Sequence, residues 1–179
     1  VSCKDLESIF KKSSNNVQRP FCFNNASEIK IAVLGGSIPC GHGSVSESFL
    51  IKLEKTIKKW LIFSNINKSV KIVNGAIPAT GASFAHACYN TLTEGADIII
   101  SEFSINEFSQ QVIERYYESV ISMPRKPLFI VLDLFTEFLE GKFDHKIKPN
   151  FVTTTAIDMG LPVVSLREAI GDIMNISFP

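Results

Sequence analysis

Five short apolar runs, each followed by a stretch of helical spacing, constrain this chain more than any other feature. The runs are 28–34 (EIKIAVL), 69–74 (SVKIVN), 96–102 (ADIIISE), 127–133 (PLFIVLD) and 161–165 (LPVVS). Their β-branched residues and flanking glycines or prolines predict short buried strands. Between them the spacing predicts helices over 44–63, 82–92, 107–123 and 151–159, and a last one from Leu166. In the first helix, Phe49, Leu50, Leu53, Ile57, Trp60 and Leu61 recur at helical intervals, and Lys52, Lys55, Lys58 and Lys59 form a solvated face.

Strands that alternate with helices pair in parallel and carry helices on both faces. The expected class is therefore α/β: a three-layer, flavodoxin-like domain with a five-stranded parallel sheet. Residues 1–28 read as a polar N-terminal arm and 29–179 as the domain. With 179 residues, 45% of them hydrophobic, there is enough chain for one sizeable core, and fourteen Phe are expected to supply much of its bulk. In such sheets ligands bind beyond the carboxyl ends of the strands. Function should then lie in the loops 35–43, 74–83, 103–107 and 134–148.

Bulk chemistry narrows the partners. Lys plus Arg and Asp plus Glu both number 18, a balance that argues against nucleic-acid binding. No apolar run reaches the length of a membrane span. Cys3, Cys22, Cys40 and Cys88 show no zinc spacing, so no metal is expected, and no cofactor. Cys3 and Cys22 could bridge or stay free. Sequons at Asn25, Asn67 and Asn175 point, with that Cys pair, towards a secretory route. Oligomeric state is not legible.

The first loop reads Gly35-Gly36-Ser37-Ile38-Pro39-Cys40-Gly41-His42-Gly43. A Walker loop fails because His42 stands where Lys is needed, and no register gives a dinucleotide loop. The α/β-hydrolase elbow fails because Pro39 replaces its second Gly. A flavodoxin-type cradle for FMN or a nucleotide would need a Ser/Thr-rich first loop. What remains is a serine raised above the sheet by two glycines. The second loop, Asn74-Gly75-Ala76-Ile77-Pro78-Ala79-Thr80-Gly81, precedes a helix, whose first N–H groups favour negative charge. Asn106 follows the third strand and can donate from its amide. Backbone and amide donors around a serine make an oxyanion hole.

These three blocks, in this order over residues 29–166, resemble the SGNH hydrolases, the GDSL-type esterases and lipases, in the Gly-Gly-Ser form of the first block. The resemblance implies that Ser37 is the nucleophile and Asn106 an oxyanion donor, with a second-block N–H as another. The sequence departs from the pattern at Ala79, where the family carries Gly, so Ala79 or Gly81 is the expected donor. Glu107 stands in place of the usual Asp. The family's Asp-x-x-His block is not seen. The expectation is a chain cut before that block, with the base coming from beyond Pro179 or from another chain. His145, in the loop after the fourth strand, is the best internal substitute; His42 could touch the pocket as a weaker candidate, though it reads first as an exposed loop residue, and His86 reads as a packed or surface helix residue. The implied activity is hydrolysis of a small-molecule or glycan ester, such as carbohydrate O-deacetylation. Acyl transfer, and a non-catalytic domain that binds a glycan or a partner protein, are the alternatives. Phe135, Phe138 and Phe143 could line an acyl pocket or cover the sheet.

Overall fold

The computed structural model describes residues 27–44, 46–107, 109–134, 151–166 and 169. Its strands are β1 (Glu28–Gly35), β2 (Ser69–Asn74), β3 (Ile98–Glu102), β4 (Leu128–Asp133) and β5 (Val163–Ser165). Its helices are α1 (Ser37–Cys40), α2 (Phe49–Phe63), α3 (Ala82–Leu92), α4 (Gln110–Ile121) and α5 (Phe151–Asp158). The strands form one sheet in the order β2-β1-β3-β4-β5, and every pairing is parallel. This is the flavodoxin-like order, and the expected α/β class stands. The order reverses between β1 and β3, which makes their carboxyl ends the two walls of the crevice where such sheets take ligands.

Alternation along β1 divides the core. Ile29, Ile31 and Val33 face α2 and pack with Leu50, Leu61 and Val70. Ala32 and Leu34 face the other way, into a larger cluster shared with α3, α4 and α5. There Tyr116 sets its ring edge-on to Phe103 and Phe129, at centroid distances of 5.8 and 5.9 Å. Full burial of one such apolar side chain is worth about 1.5–3 kcal/mol. Phe103 lies one residue beyond β3, so this packing anchors the start of the loop that carries Asn106. Burial pushes the phenols of Tyr116 and Tyr117 well above the usual tyrosine range. The Tyr117 hydroxyl donates to the carbonyl of Val152, tying α4 to α5.

Several expectations shift. The first long helix begins at Phe49 rather than 44, because Ser48 is still extended, with φ −60° and ψ 155°, and its carbonyl takes the first helical bonds, from the N–H groups of Ile51 and Lys52, with no bond from its side chain. Residues 37–40 form a one-turn helix where a loop was expected. The third long helix begins at Gln110, since Glu107 uses its side chain outside the helix. Trp60, one of the apolar positions at helical spacing in this helix, is 47% exposed, and Phe63 is 87% exposed. The buried bulk also differs from expectation. Among the described residues the fully enclosed aromatic rings are Phe103, Phe129, Tyr116 and Tyr117, so Tyr shares with Phe what Phe was expected to supply. The arm 1–26, most of the last helix and residues 135–150 lie outside the described residues. No helix among the described residues is long and apolar enough to cross a membrane.

Candidate active site

The site is built where β1 and β3 end. β1 runs out at Gly35, and Ser37 opens α1 one residue after Gly36. The turn is closed by bonds from the N–H groups of Cys40, Gly41 and His42 to the carbonyls of Gly36, Ile38 and Ser37. None of these bonds uses the N–H of Ser37, one of the first N–H groups of a helix, which have no intrahelical partner. Pro39 fits because it sits in the first turn, where its missing N–H costs no helical bond. It is also buried, against Gly35.

Gly36 is fixed by what stands over it. A Cβ added there would lie 2.6 Å from Oδ1, 2.7 Å from Cγ and 2.9 Å from Nδ2 of Asn106. Three nearly equal distances mean that the Asn106 amide lies face-on across the Gly36 backbone. The amide thus occupies the space beside Ser37 that any side chain at position 36 would fill. Asn106 and Glu107 both donate their N–H groups back to the Phe103 carbonyl, which closes their turn over the buried ring.

The loop after β2 completes the arrangement. Ile77 N–H donates to the Gly35 carbonyl at 3.0 Å, and Asn74 Oδ1 accepts from Ala76 N–H at 3.0 Å. The loop is thereby strapped to the exit of β1. At its far end, a Cβ on Gly81 would meet Glu107 Oε2 at 2.9 Å and the Asn106 carbonyl at 3.3 Å. Between these anchors Ala79 takes φ 59°, the left-handed region, which costs a residue with a Cβ about 1–2 kcal/mol. The structure therefore brings the loops of Ser37, Ala79, Gly81 and Asn106 together around one crevice.

Two carboxyl groups flank the third loop. Glu102, buried at the end of β3, accepts from the N–H and the hydroxyl of Ser104 at 3.1 and 2.7 Å. Ser104 in turn accepts from the N–H of Leu134, at the exit of β4. Burial raises the Glu102 carboxyl above its ordinary value, more than the Ser104 hydrogen bonds lower it. Glu107 accepts from Ala82 N–H at 2.8 Å and from Ser109 N–H at 2.9 Å. Sequence reasoning missed both roles. The pairing of Glu107 with Ala82 joins residues 25 apart, and no local pattern encodes it.

The histidines fall apart from one another. His42 is exposed, and no side-chain hydrogen bond joins it to Ser37. His86 is on α3, with Nδ1 3.2 Å from the Ser119 hydroxyl of α4, so its ring braces two helices. His145, and with it Phe135, Phe138 and Phe143, lies outside the described residues. Cys40 and Cys88 are free thiols, while Cys3 and Cys22 fall in the undescribed arm. Among the described residues no group of three or more His, Cys, Asp or Glu is placed to hold a metal ion.

No protein-family model and no curated protein sequence matches the chain. Solved structures do. One is a two-domain esterase active on acetylated mannans, with a TM-score of 0.63 at 20% identity, covering 90% of this chain and 40% of that one. This chain thus spans less than half of that esterase's length. Another is an acetyl xylan esterase, with a TM-score of 0.59 at 13% identity and coverage of 82% and 83%. A third is a lipase/acylhydrolase from Enterococcus faecalis, at 0.57 and 17%, covering 80% and 79%. The chain has the SGNH hydrolase fold. At these identities the likeness speaks for the fold alone. Ala79, where the sequence resemblance expects Gly, has the left-handed backbone that Gly adopts without a steric cost.

Proposed function

We propose that the protein is a serine ester hydrolase with Ser37 as its nucleophile. The observation that carries this reading is the Asn106 amide lying face-on across Gly36, next to Ser37, at the switch point of the sheet. Ser37 Oγ attacks the ester carbonyl and gives its proton to a histidine base. The carbonyl oxygen becomes an oxyanion held by the N–H of Ser37, the N–H of Ala79 or Gly81, and the Asn106 amide. The C–O bond then breaks, the alcohol leaves with the proton, and water releases the acyl group by the same steps in reverse. The base is a histidine outside the described residues.

The acyl group is small and the alcohol is a carbohydrate hydroxyl. This rests on structural neighbours described as active on acetylated mannans or acetyl xylan. The test is release of acetate from acetylated mannan and xylan by the full-length protein. Ser37→Ala is expected to abolish it, a loss of roughly 10⁴-fold or more. Turnover unchanged in Ser37→Ala overturns the reading.

One observation favours a second reading, a glycan-binding domain without catalysis: no described histidine is hydrogen-bonded to Ser37. In that case the full-length protein binds acetylated oligosaccharides and Ser37→Ala leaves both binding and the absence of turnover unaltered.

A further inference from the structure

Glu107 is the acidic group nearest Asn106 in the chain, and the reaction scheme gives it no chemical step. Its two oxygens are spent on backbone. Oε2 takes the N–H of Ala82, the first residue of α3, and Oε1 takes the N–H of Ser109, the cap of α4. One side chain therefore joins the second loop, the third loop and the starts of two helices. A Cβ at Gly81 would stand 2.9 Å from Oε2, so a glycine there lets Glu107 come this close. The contact is close on both sides: Gly81 abuts Glu107 and the Asn106 carbonyl, and Gly36 abuts the Asn106 amide.

We propose that Glu107 is a positioning residue that sets the distance between the Asn106 amide and the N–H donors of residues 79–81. The proposal rests on the esterase reading for its kinetic consequence but not for its geometry. Hydrogen bonds from N–H groups to an ionised carboxylate are among the stronger ones, so two of them make a stiff strut. Its length matters. Aspartate, one methylene shorter, cannot span from residue 107 to both Ala82 and Ser109 without moving the Asn106 turn. Glutamine keeps the length but offers one acceptor oxygen to two donors, and turns its NH₂ towards an N–H. Misplacement of about 1 Å in a catalytic group can cost about a hundredfold in rate.

The test compares Glu107→Asp and Glu107→Gln with the wild type in the full-length protein. Both variants are expected to lower kcat roughly ten- to a hundredfold while KM stays within about twofold. Both are also expected to shift the NMR resonances of the Asn106 side-chain amide. A merely structural role would lower the melting temperature and leave kcat per folded molecule alone. If kcat stays within about twofold of wild type in both variants, the proposal is overturned. Should the wild type show no turnover and match Ser37→Ala, the esterase reading has failed. The Asn106 resonances then decide alone: displaced in both variants they support the strut, unmoved they overturn it. If Glu107→Asp does not fold, Glu107→Gln carries the same outcomes.

Discussion

The two loops that meet Asn106 solve the same problem differently. The first presents a glycine because the Asn106 side-chain amide fills the place of a Cβ at position 36. The second has room at Ala79 but a backbone that suits glycine, and it carries the strain of φ 59°. A Cβ in the first loop can be placed only by displacing the Asn106 amide, whereas the conformational preference in the second is a matter of about 1–2 kcal/mol. Loop one should therefore fail sharply when altered, and loop two should respond by degrees.

The largest effect is expected at Gly36. Gly36→Ala would put a Cβ at 2.6 Å from Asn106 Oδ1, so the amide must leave its place. Esterase activity should fall roughly a hundred- to a thousandfold, as for loss of one oxyanion donor. Measurement of kcat/KM alongside circular dichroism checks this. Activity near wild type in a folded Gly36→Ala protein would break the contrast between the loops.

A second effect concerns the buried carboxyl beneath the third loop. Glu102 has its pKa raised above 4.5, first by burial and, against that, lowered by the bonds from Ser104. A carboxyl raised on folding holds its proton where the unfolded chain has released it. Its contribution to stability is full below pH 4.5 and is lost as pH rises through the folded value. Glu102→Gln keeps an acceptor for Ser104 and removes the ionisation. Denaturant titrations across pH should show the variant gaining on wild type as pH rises above 4.5, with the two converging below it. A constant difference would place the titration elsewhere.

The smallest effect is expected at Ala79. Ala79→Gly relieves the left-handed strain and should raise the melting temperature by a few degrees, about 1 kcal/mol in a chain of this size. Ala79→Val should lower it, because a β-branched residue resists that conformation more. Thermal unfolding of both variants distinguishes this from a loop that simply relaxes, in which neither would move.

The strands were legible because each is a short β-branched run closed by a glycine, a proline or a polar residue. Boundaries slipped where a single contact outside the element decides them. Pro127 drops out of β4 because it has no N–H for the ladder, and Glu107 stays outside α4 because its side chain is committed to Ala82 and Ser109. Trp60 had the spacing of a core residue, but among the described residues the packing on that face of the sheet is carried by Leu50 and Leu61, with Phe49 and Ile57 partly buried. At the site, Ser37, Asn106 and the 79–81 segment were legible because each follows a strand end, and strand ends converge in a parallel sheet. The strut from Glu107 was not, since it depends on a turn and a helix start meeting in space.

The account turns on Ser37 being an activated nucleophile beside a prebuilt set of donors. Reaction of the full-length protein with a fluorophosphonate, read by intact mass and peptide mapping, tests this directly. The expected result is a single adduct on Ser37, absent from Ser37→Ala and formed roughly a hundredfold more slowly in Asn106→Ala. An adduct that survives Ser37→Ala, or a full-length wild type that acquires none, would contradict it.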